Sequence, residues 1–251
     1  MKIHCYSALL LFLVLAAPAR VCAQEPNDFV ATMLSTDMQV DGHASVDLGL
    51  PSGTIWASCN VGATLPEETG DYFSWAETKG RMAGKTDYSW ETYAWSSTSA
   101  FNASDIIITK YCDHMVYGRA DHRMEIEAED DVASMEWGPS WSIPSKKQVE
   151  ELLNKKYTTS YYTVVHGVPG RMITSKVNGR SIFLPSSGCY YGRSVSDADC
   201  YGCYWTRSLK KGREDGVYVL YSDVKKFNID VDQQRFCGRS VRPVTVKDRN
   251  K

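Results

Sequence analysis

The chain has 251 residues and a nearly balanced charge, with 28 Lys and Arg against 30 Asp and Glu. A slightly acidic chain without a basic cluster lacks the positive surface that nucleic acids require, so we expect no nucleic-acid partner. The length suits one loop-rich domain.

The first 23 residues have the three parts of a secretory signal peptide. Lys2 supplies the positive start, residues 8–17 an apolar run, and residues 21–23 small side chains before a cleavage point. The run is too short to cross a bilayer, which takes about 20 residues, and no later segment is apolar enough. We therefore expect cleavage after Ala23, export to the periplasm, the cell surface or the medium, and no transmembrane span in the mature chain.

Beyond the signal, the composition changes twice. Residues 24–42 mix polar residues and proline without an apolar period, which predicts a flexible linker. From His43 the pattern is that of a hairpin, in which an alternating segment, residues 46–50, is followed by a turn at residues 51–53 and a strand at residues 54–59.

Two short helices are predicted in the middle of the chain. Acids at residues 129–131 suit the positive end of a helix that runs through Met135. Ser145 and Gln148 have the spacing of a capping box, and it opens a helix with an apolar stripe over residues 149–153.

The second half of the chain is predicted to be rich in strands separated by Gly, Asn, Asp and Ser. The predicted strands cover residues 106–109, 173–177, 181–184, 204–208, 217–222 and 240–246. Two early helices and a strand-rich second half predict one α+β domain over residues 43–247.

Several blocks of sequence are distinctive when taken in order. They are VDLGLPSGTIWASCNVGA at residues 46–63, GDYFSWAE at 70–77, WGPSWSIP at 137–144, IFLPSSG at 182–188, YWTRS at 204–208 and GRSVRPV at 238–244. Together these blocks, which span about residues 45–245, resemble the Fibrobacter succinogenes major paralogous domain family.

The resemblance implies a C-type-lectin-like fold, distantly related to formylglycine-generating enzyme domains. In that fold the two chain ends pair in one small sheet, and long loops carry the binding surface. The family's members are exported proteins of Bacteroidetes-type bacteria. We accordingly expect a non-catalytic binding or adhesion module whose partner is a protein or a carbohydrate.

Six cysteines remain after signal cleavage, an even number that suggests disulfides in an oxidising compartment. Cys59 and Cys237 belong to the first and last blocks of the resemblance. If the ends pair as the resemblance implies, a bridge between them would clamp the domain. The alternative is two buried free thiols on adjacent strands.

Cys200 and Cys203 have the spacing of a redox pair or of half a zinc site. Their Gly- and Asp-rich surroundings favour a structural disulfide instead, with Cys189 as a further partner. A thiol-dependent oxidative enzyme that uses these three cysteines is the alternative function. We predict no metal, no cofactor and no catalytic residue.

Aromatic residues crowd a Gly-rich stretch in the last third of the chain. Rigid aromatic faces beside small residues suit recognition of a protein or a glycan. The predicted ligand-binding residues are Tyr190, Tyr191, Arg193, Asp197 and Tyr201, in the loops between residues 186 and 236. A third hypothesis is a structural subunit of a surface assembly, in which residues 24–42 act as a docking strand.

Overall fold

A computed structural model describes residues 34, 38–98, 105–212, 216–232 and 234–247. The predicted signal peptide lies outside the described residues. So does the predicted linker up to residue 37, apart from Leu34.

The folded chain begins before His43, the predicted start of the domain. Met38–Val40 forms a strand, β1, that pairs antiparallel with His43–Asp47, β2, across a turn at Asp41 and Gly42. Both turn residues have positive φ, 48° and 82°, as this type of hairpin turn requires. The predicted linker boundary at residue 42 is therefore wrong, because backbone pairing with β2 orders a segment whose polar composition indicated none.

The described residues contain small antiparallel sheets and two α-helices, so the predicted α+β class is confirmed. The helices are α1, Val132–Trp137, and α2, Lys146–Leu153. The remaining strands are β3, Thr54–Ala57; β4, Ser96–Thr98; β5, Ile106–Ile108; β6, Thr158–Val165; β7, Val168–Ser175; β8, Ser181–Pro185; β9, Cys189–Tyr191; β10, Ser194–Ser196; β11, Gly202–Leu209; β12, Val217–Ser222; β13, Phe227–Asp232; and β14, Val244–Val246.

The two ends of the described domain meet in one sheet of order β1–β2–β3–β14. Trp56 in β3 is paired with Val46 on one side and with Val244 on the other, and all three side chains are buried. Burying this row of apolar side chains in one cluster joins the first strands to the last. The predicted strand over residues 240–246 is shorter than expected, since only β14 pairs regularly.

A buried arginine strengthens the same junction. Arg242 Nε donates to Asn60 Oδ1 at 2.7 Å, and Nη1 donates to the carbonyl oxygens of Ser58 at 2.7 Å and Ala57 at 3.3 Å. Its Nη2 donates to the Pro66 carbonyl at 3.4 Å. The guanidinium therefore ties the last segment of the domain to the loop after β3.

The two helices show how caps define short elements. The capping box at Ser145 and Gln148 is confirmed at the start of α2. The helix predicted from residue 129 begins later, because the Asp131 carboxylate caps α1 by accepting from the backbone N–H groups of Ala133 and Ser134. The acids before it lie in a single 3₁₀ turn, Ala128–Asp130.

Two three-stranded sheets, β6–β7–β8 and β11–β12–β13, form most of the second half. Strand β12 has the predicted bounds, and β7, β8 and β11 overlap their predicted segments. Strands β6 and β13 were not predicted. In β13, Phe227, Ile229 and Val231 alternate with polar residues, which is the period of a half-buried strand and was the available signal.

The sheet β11–β12–β13 separates two parts of the core. Tyr204 and Leu220 pack on one side in the cluster that also contains the buried face of α2. Cys203, Trp205 and Val219 point to the other side and join the larger cluster. Because side chains alternate along a strand, the polar residues of β13 lie on that second side of the sheet.

Candidate binding cleft

A cleft of about 410 Å³, which we call the Arg239 cleft, opens beside the face of the sheet β11–β12–β13 that carries Cys203 and Val219. It is lined by Tyr201, Cys203, Val219, Tyr221, Asp230, Val231, Asp232, Gln234 and Arg239. The strand register explains the grouping, since Cys203 is paired with Tyr221 and Val219 with Asp230. The volume is in the range of small-molecule sites.

Two tyrosines form an aromatic wall of the cleft. The rings of Tyr201 and Tyr221 stack with centroids 5.5 Å apart and planes 24° apart, and both side chains are partly exposed. Burial raises the pKa of each phenol to about 12, so both hydroxyls remain protonated at neutral pH and can donate hydrogen bonds. The Tyr221 hydroxyl bonds to Asp223 Oδ2 at 3.1 Å, which fixes its ring.

Arg239 supplies a positive charge to the cleft from a buried position. Its Nη2 forms an ion pair with Asp232, and its guanidinium carbon lies 5.3 Å from the centre of the Trp205 ring. Its Nε and Nη1 are buried and have no hydrogen-bond partner of regular geometry among the described residues, although the Tyr201 hydroxyl lies close enough to interact with the guanidinium. Buried donors of a charged group without acceptors cost free energy, so an acceptor that reached them would be stabilising; both nitrogen atoms are covered, and a ligand reaches them only if neighbouring side chains of the cleft move.

Two carboxylates complete the polar lining. Asp230 is exposed, and its Oδ1 accepts from the backbone N–H of Val231 at 2.8 Å. Asp232 is half-buried between Arg239 and the backbone N–H of Gln234, which donates to Oδ1 at 2.8 Å. The cleft thus combines acceptors, donors and an aromatic wall.

Of the predicted ligand-binding residues, only Tyr201 lines this cleft. Tyr190 is half-buried between the rings of Tyr72 and Tyr88, at 5.5 and 4.9 Å, so its ring is mainly a packing element. Tyr191 is 53% exposed and lies against Phe236. These ring contacts join segments that are distant in the sequence, so no local pattern predicts them.

Arg193 and Asp197 are exposed near the β9–β10 hairpin. The backbone carbonyl of Arg193 accepts from the Tyr190 hydroxyl at 3.0 Å. Asp197 has a positive φ of 55°, which is typical of a turn residue. Neither residue lines the cleft. Its acids Asp230 and Asp232 were not predicted because strand β13 was not predicted.

Among the described cysteines, Cys59, Cys189, Cys200, Cys203 and Cys237 are not joined by disulfides. Cys59 packs in the larger core cluster, whereas Cys237 lies in a separate small one with Cys189. The predicted bridge between Cys59 and Cys237 is therefore not formed, since the pairing of the chain ends places these two side chains in different parts of the core.

The Cys200–Cys203 motif is divided between surface and interior. Cys200 is exposed, whereas Cys203 is buried in strand β11. Burial raises the pKa of Cys203 to about 12, which opposes the thiolate that a redox catalyst needs. Within the described residues, no three His, Cys, Asp or Glu side chains are grouped so as to hold a metal ion.

A second cleft, of about 460 Å³, lies around Trp95. There the polar groups bond to one another: Lys85 forms an ion pair with Glu77, and Glu77 Oε1 accepts from the Ala94 N–H at 2.7 Å. Trp95 Nε1 donates to the Ala76 carbonyl at 2.6 Å. These satisfied groups distinguish the Trp95 cleft from the Arg239 cleft.

Comparison with other proteins adds no assignment. No protein-family model, curated protein or solved structure matches the chain. In the part of the chain that the structure describes, no helix has the length and apolar character to cross a membrane.

Proposed function

We propose that this chain is a non-catalytic binding module that recognises a neutral glycan in the Arg239 cleft. The observation that carries the proposal is the buried Arg239 guanidinium, in which two nitrogen atoms, Nε and Nη1, lack acceptors beside partly exposed carboxylate and aromatic groups. The cleft supplies no activated nucleophile, and its one thiol, Cys203, has a raised pKa.

Sugar hydroxyls suit this arrangement because each one both donates and accepts a hydrogen bond. One hydroxyl would accept from Arg239 while its neighbour donates to Asp230. The Tyr201 and Tyr221 rings offer a rigid apolar surface for the C–H groups of a sugar ring.

The charges of the cleft favour a neutral ligand over an anionic one. Asp230 and Asp232 together carry one more charge than Arg239 balances. A carboxylate or sulfate on the ligand would meet that excess at short range, so acidic sugars are disfavoured.

The wider identity of the module is also proposed from the motifs. We propose membership of the Fibrobacter succinogenes major paralogous domain family, a C-type-lectin-like fold, and export through the predicted signal peptide. The pairing of β14 with β3 supports the fold, because the resemblance implies that the chain ends share one small sheet.

The test is binding of neutral oligosaccharides to the purified mature chain by titration calorimetry and saturation-transfer NMR. The probes are gluco-, manno-, galacto- and N-acetylglucosamine oligomers, with uronate oligomers for comparison. We expect dissociation constants from about 1 mM to 1 μM for at least one neutral series. Weaker binding of uronates is also expected.

Three variants locate the site. Arg239→Lys and Tyr221→Ala should each weaken binding by about tenfold or more, whereas the matched control Tyr191→Ala should not. If no neutral oligomer binds, or if binding is unaffected by the first two substitutions, the proposal is wrong.

A further inference from the structure

Cys189 and Cys237 are brought together by an irregular part of the fold. Tyr190 and Gly238 form an antiparallel bridge in which each backbone N–H donates to the other's carbonyl at 2.8 Å. The two cysteines directly precede these paired residues, so their side chains lie on the same face of the bridge.

The two thiols share one small buried cluster. Cys189 and Cys237 are buried together with Tyr93 and Phe236, and the two thiols are close enough to influence each other's ionisation. Gln234 Oε1 lies 3.4 Å from Cys237 Sγ and is an alternative acceptor for its single S–H group. In the register of the bridge the two cysteines are diagonal neighbours, and their side chains share this cluster in the folded chain.

The surroundings distinguish the two thiols chemically. The hydrogen bond from Cys237, helped by the positive charge of Arg239, lowers the pKa of Cys189, whereas the same contact and burial raise the pKa of Cys237. Cys189 is therefore the thiol that ionises first and the better initial nucleophile.

We propose that Cys189 and Cys237 are an oxidation site that forms a disulfide, fastening the β9–β10 hairpin to the segment over residues 234–239. This inference is independent of the proposed glycan binding. It differs from the pairings expected from the sequence, which joined Cys59 to Cys237 and Cys189 to the Cys200–Cys203 pair.

The oxidant is an external disulfide, either glutathione disulfide or a protein disulfide. The Cys189 thiolate attacks one of its sulfur atoms, a mixed disulfide forms, and one thiolate leaves and takes up a proton. Cys237 then loses its proton and attacks the Cys189 sulfur, which releases the second thiol. Two protein thiols are oxidised, and the external disulfide is reduced to two thiols.

Access decides when the reaction occurs. Because both thiols are buried in the folded chain, the exchange takes place during folding or when the hairpin opens. Once formed, the bond is covered by Tyr93 and Phe236 and is protected from exposed reductants.

Tryptic mapping tests the pairing directly, because Lys and Arg residues separate the relevant cysteines. Cys189 lies alone in the peptide of residues 181–193, Cys237 alone in residues 236–239, and Cys200 with Cys203 in residues 194–207. The mature full-length chain is refolded in a glutathione redox buffer, its free thiols are alkylated in denaturant, and it is digested without reduction.

We expect a cross-linked species that contains residues 181–193 and 236–239. Recovery of both peptides in alkylated form would overturn the proposal. A cross-link from either peptide to residues 194–207, or to the peptide that contains Cys59, would overturn it as well.

Thermal unfolding gives an independent readout. The disulfide closes a loop of about 50 residues, so protein that has been reduced in denaturant and refolded with reductant should have a Tm roughly 5–15 °C below that of the oxidised protein. Reductant should not change the Tm of the Cys189→Ser or Cys237→Ser proteins. The matched buried control, Cys59→Ser, should retain the reductant-dependent shift. An equal shift in all proteins, or none in the wild type, contradicts the proposal.

Discussion

Arg239 and Arg242 are three residues apart, and both are buried, yet their surroundings differ. Arg242 donates to one side-chain oxygen and three backbone carbonyls at the junction of the chain ends. Arg239 is paired with Asp232 through Nη2 only, and its Nε and Nη1 have no hydrogen-bond partner among the described residues.

The difference separates a structural role from a ligand-binding role. A buried guanidinium whose donors are all used stabilises the segments that it joins, since removing it leaves several acceptors unsatisfied. For a buried guanidinium that lines a cleft with donors unused, as in Arg239, we propose a partner from outside the fold. Burial alone does not distinguish these two arginines, whereas their hydrogen bonds do.

The largest expected effect is on the junction. Arg242→Ala should lower the free energy of unfolding by about 3–5 kcal/mol, because it leaves buried oxygen atoms of Asn60, Ser58 and Ala57 without a donor. Urea unfolding measures the loss. The exposed Arg193→Ala is the control and should change stability by less than about 0.5 kcal/mol. A similar small change for Arg242→Ala would show that the junction does not depend on this side chain.

The second prediction concerns Asp131, a buried acid whose hydrogen bonds are also extensively used. Burial raises its pKa from 3.8 to about 6, although the backbone N–H groups of Ile143, Ser134 and Ala133 oppose the shift. Between these pH values the folded state binds more protons than the unfolded state. The stability from this group is therefore complete below about pH 4 and is lost as the pH rises to 6, by about 3 kcal/mol.

Urea unfolding between pH 3.5 and 7 tests this pH dependence. Asp131→Asn keeps an oxygen acceptor and removes the titration, so the stability difference between wild type and variant should change with pH over that window. A constant difference would mean that the pKa of Asp131 is the same in the folded and unfolded states, so that burial does not raise it.

The third prediction concerns the cleft. Arg239→Lys keeps a cation beside Asp232 but cannot reproduce the planar set of donors. We expect a stability loss of about 1 kcal/mol, clearly smaller than that of Arg242→Ala. Urea unfolding of both proteins under one condition provides the comparison. Equal losses would remove the distinction between the two arginines.

The smallest effect is expected at Tyr191, which is exposed and outside the cleft. Tyr191→Ser removes a partial contact with Phe236 and should cost about 0.5 kcal/mol, measured by thermal or urea unfolding. A loss above about 2 kcal/mol would assign Tyr191 a packing role that its exposure does not indicate.

Patterns within short segments were sufficient to predict several elements of the fold. The capping box at Ser145, the hairpin that contains Trp56, and the strand Val217–Ser222 were predicted because turns, caps and alternation depend on near neighbours. Strand β13 has the same alternation of apolar and polar residues, but no strand was predicted there. Asp230 and Asp232 were therefore not predicted to line the cleft.

The roles of individual aromatic, cysteine and arginine side chains depended on distant contacts. Tyr190 is packed against Tyr72 and Tyr88, Cys237 lies beside Cys189 rather than Cys59, and the oxygen partners of Arg242 lie 176 to 185 residues earlier in the chain. No local pattern encodes which donors are satisfied, because hydrogen bonds of this kind form only after the segments have packed together.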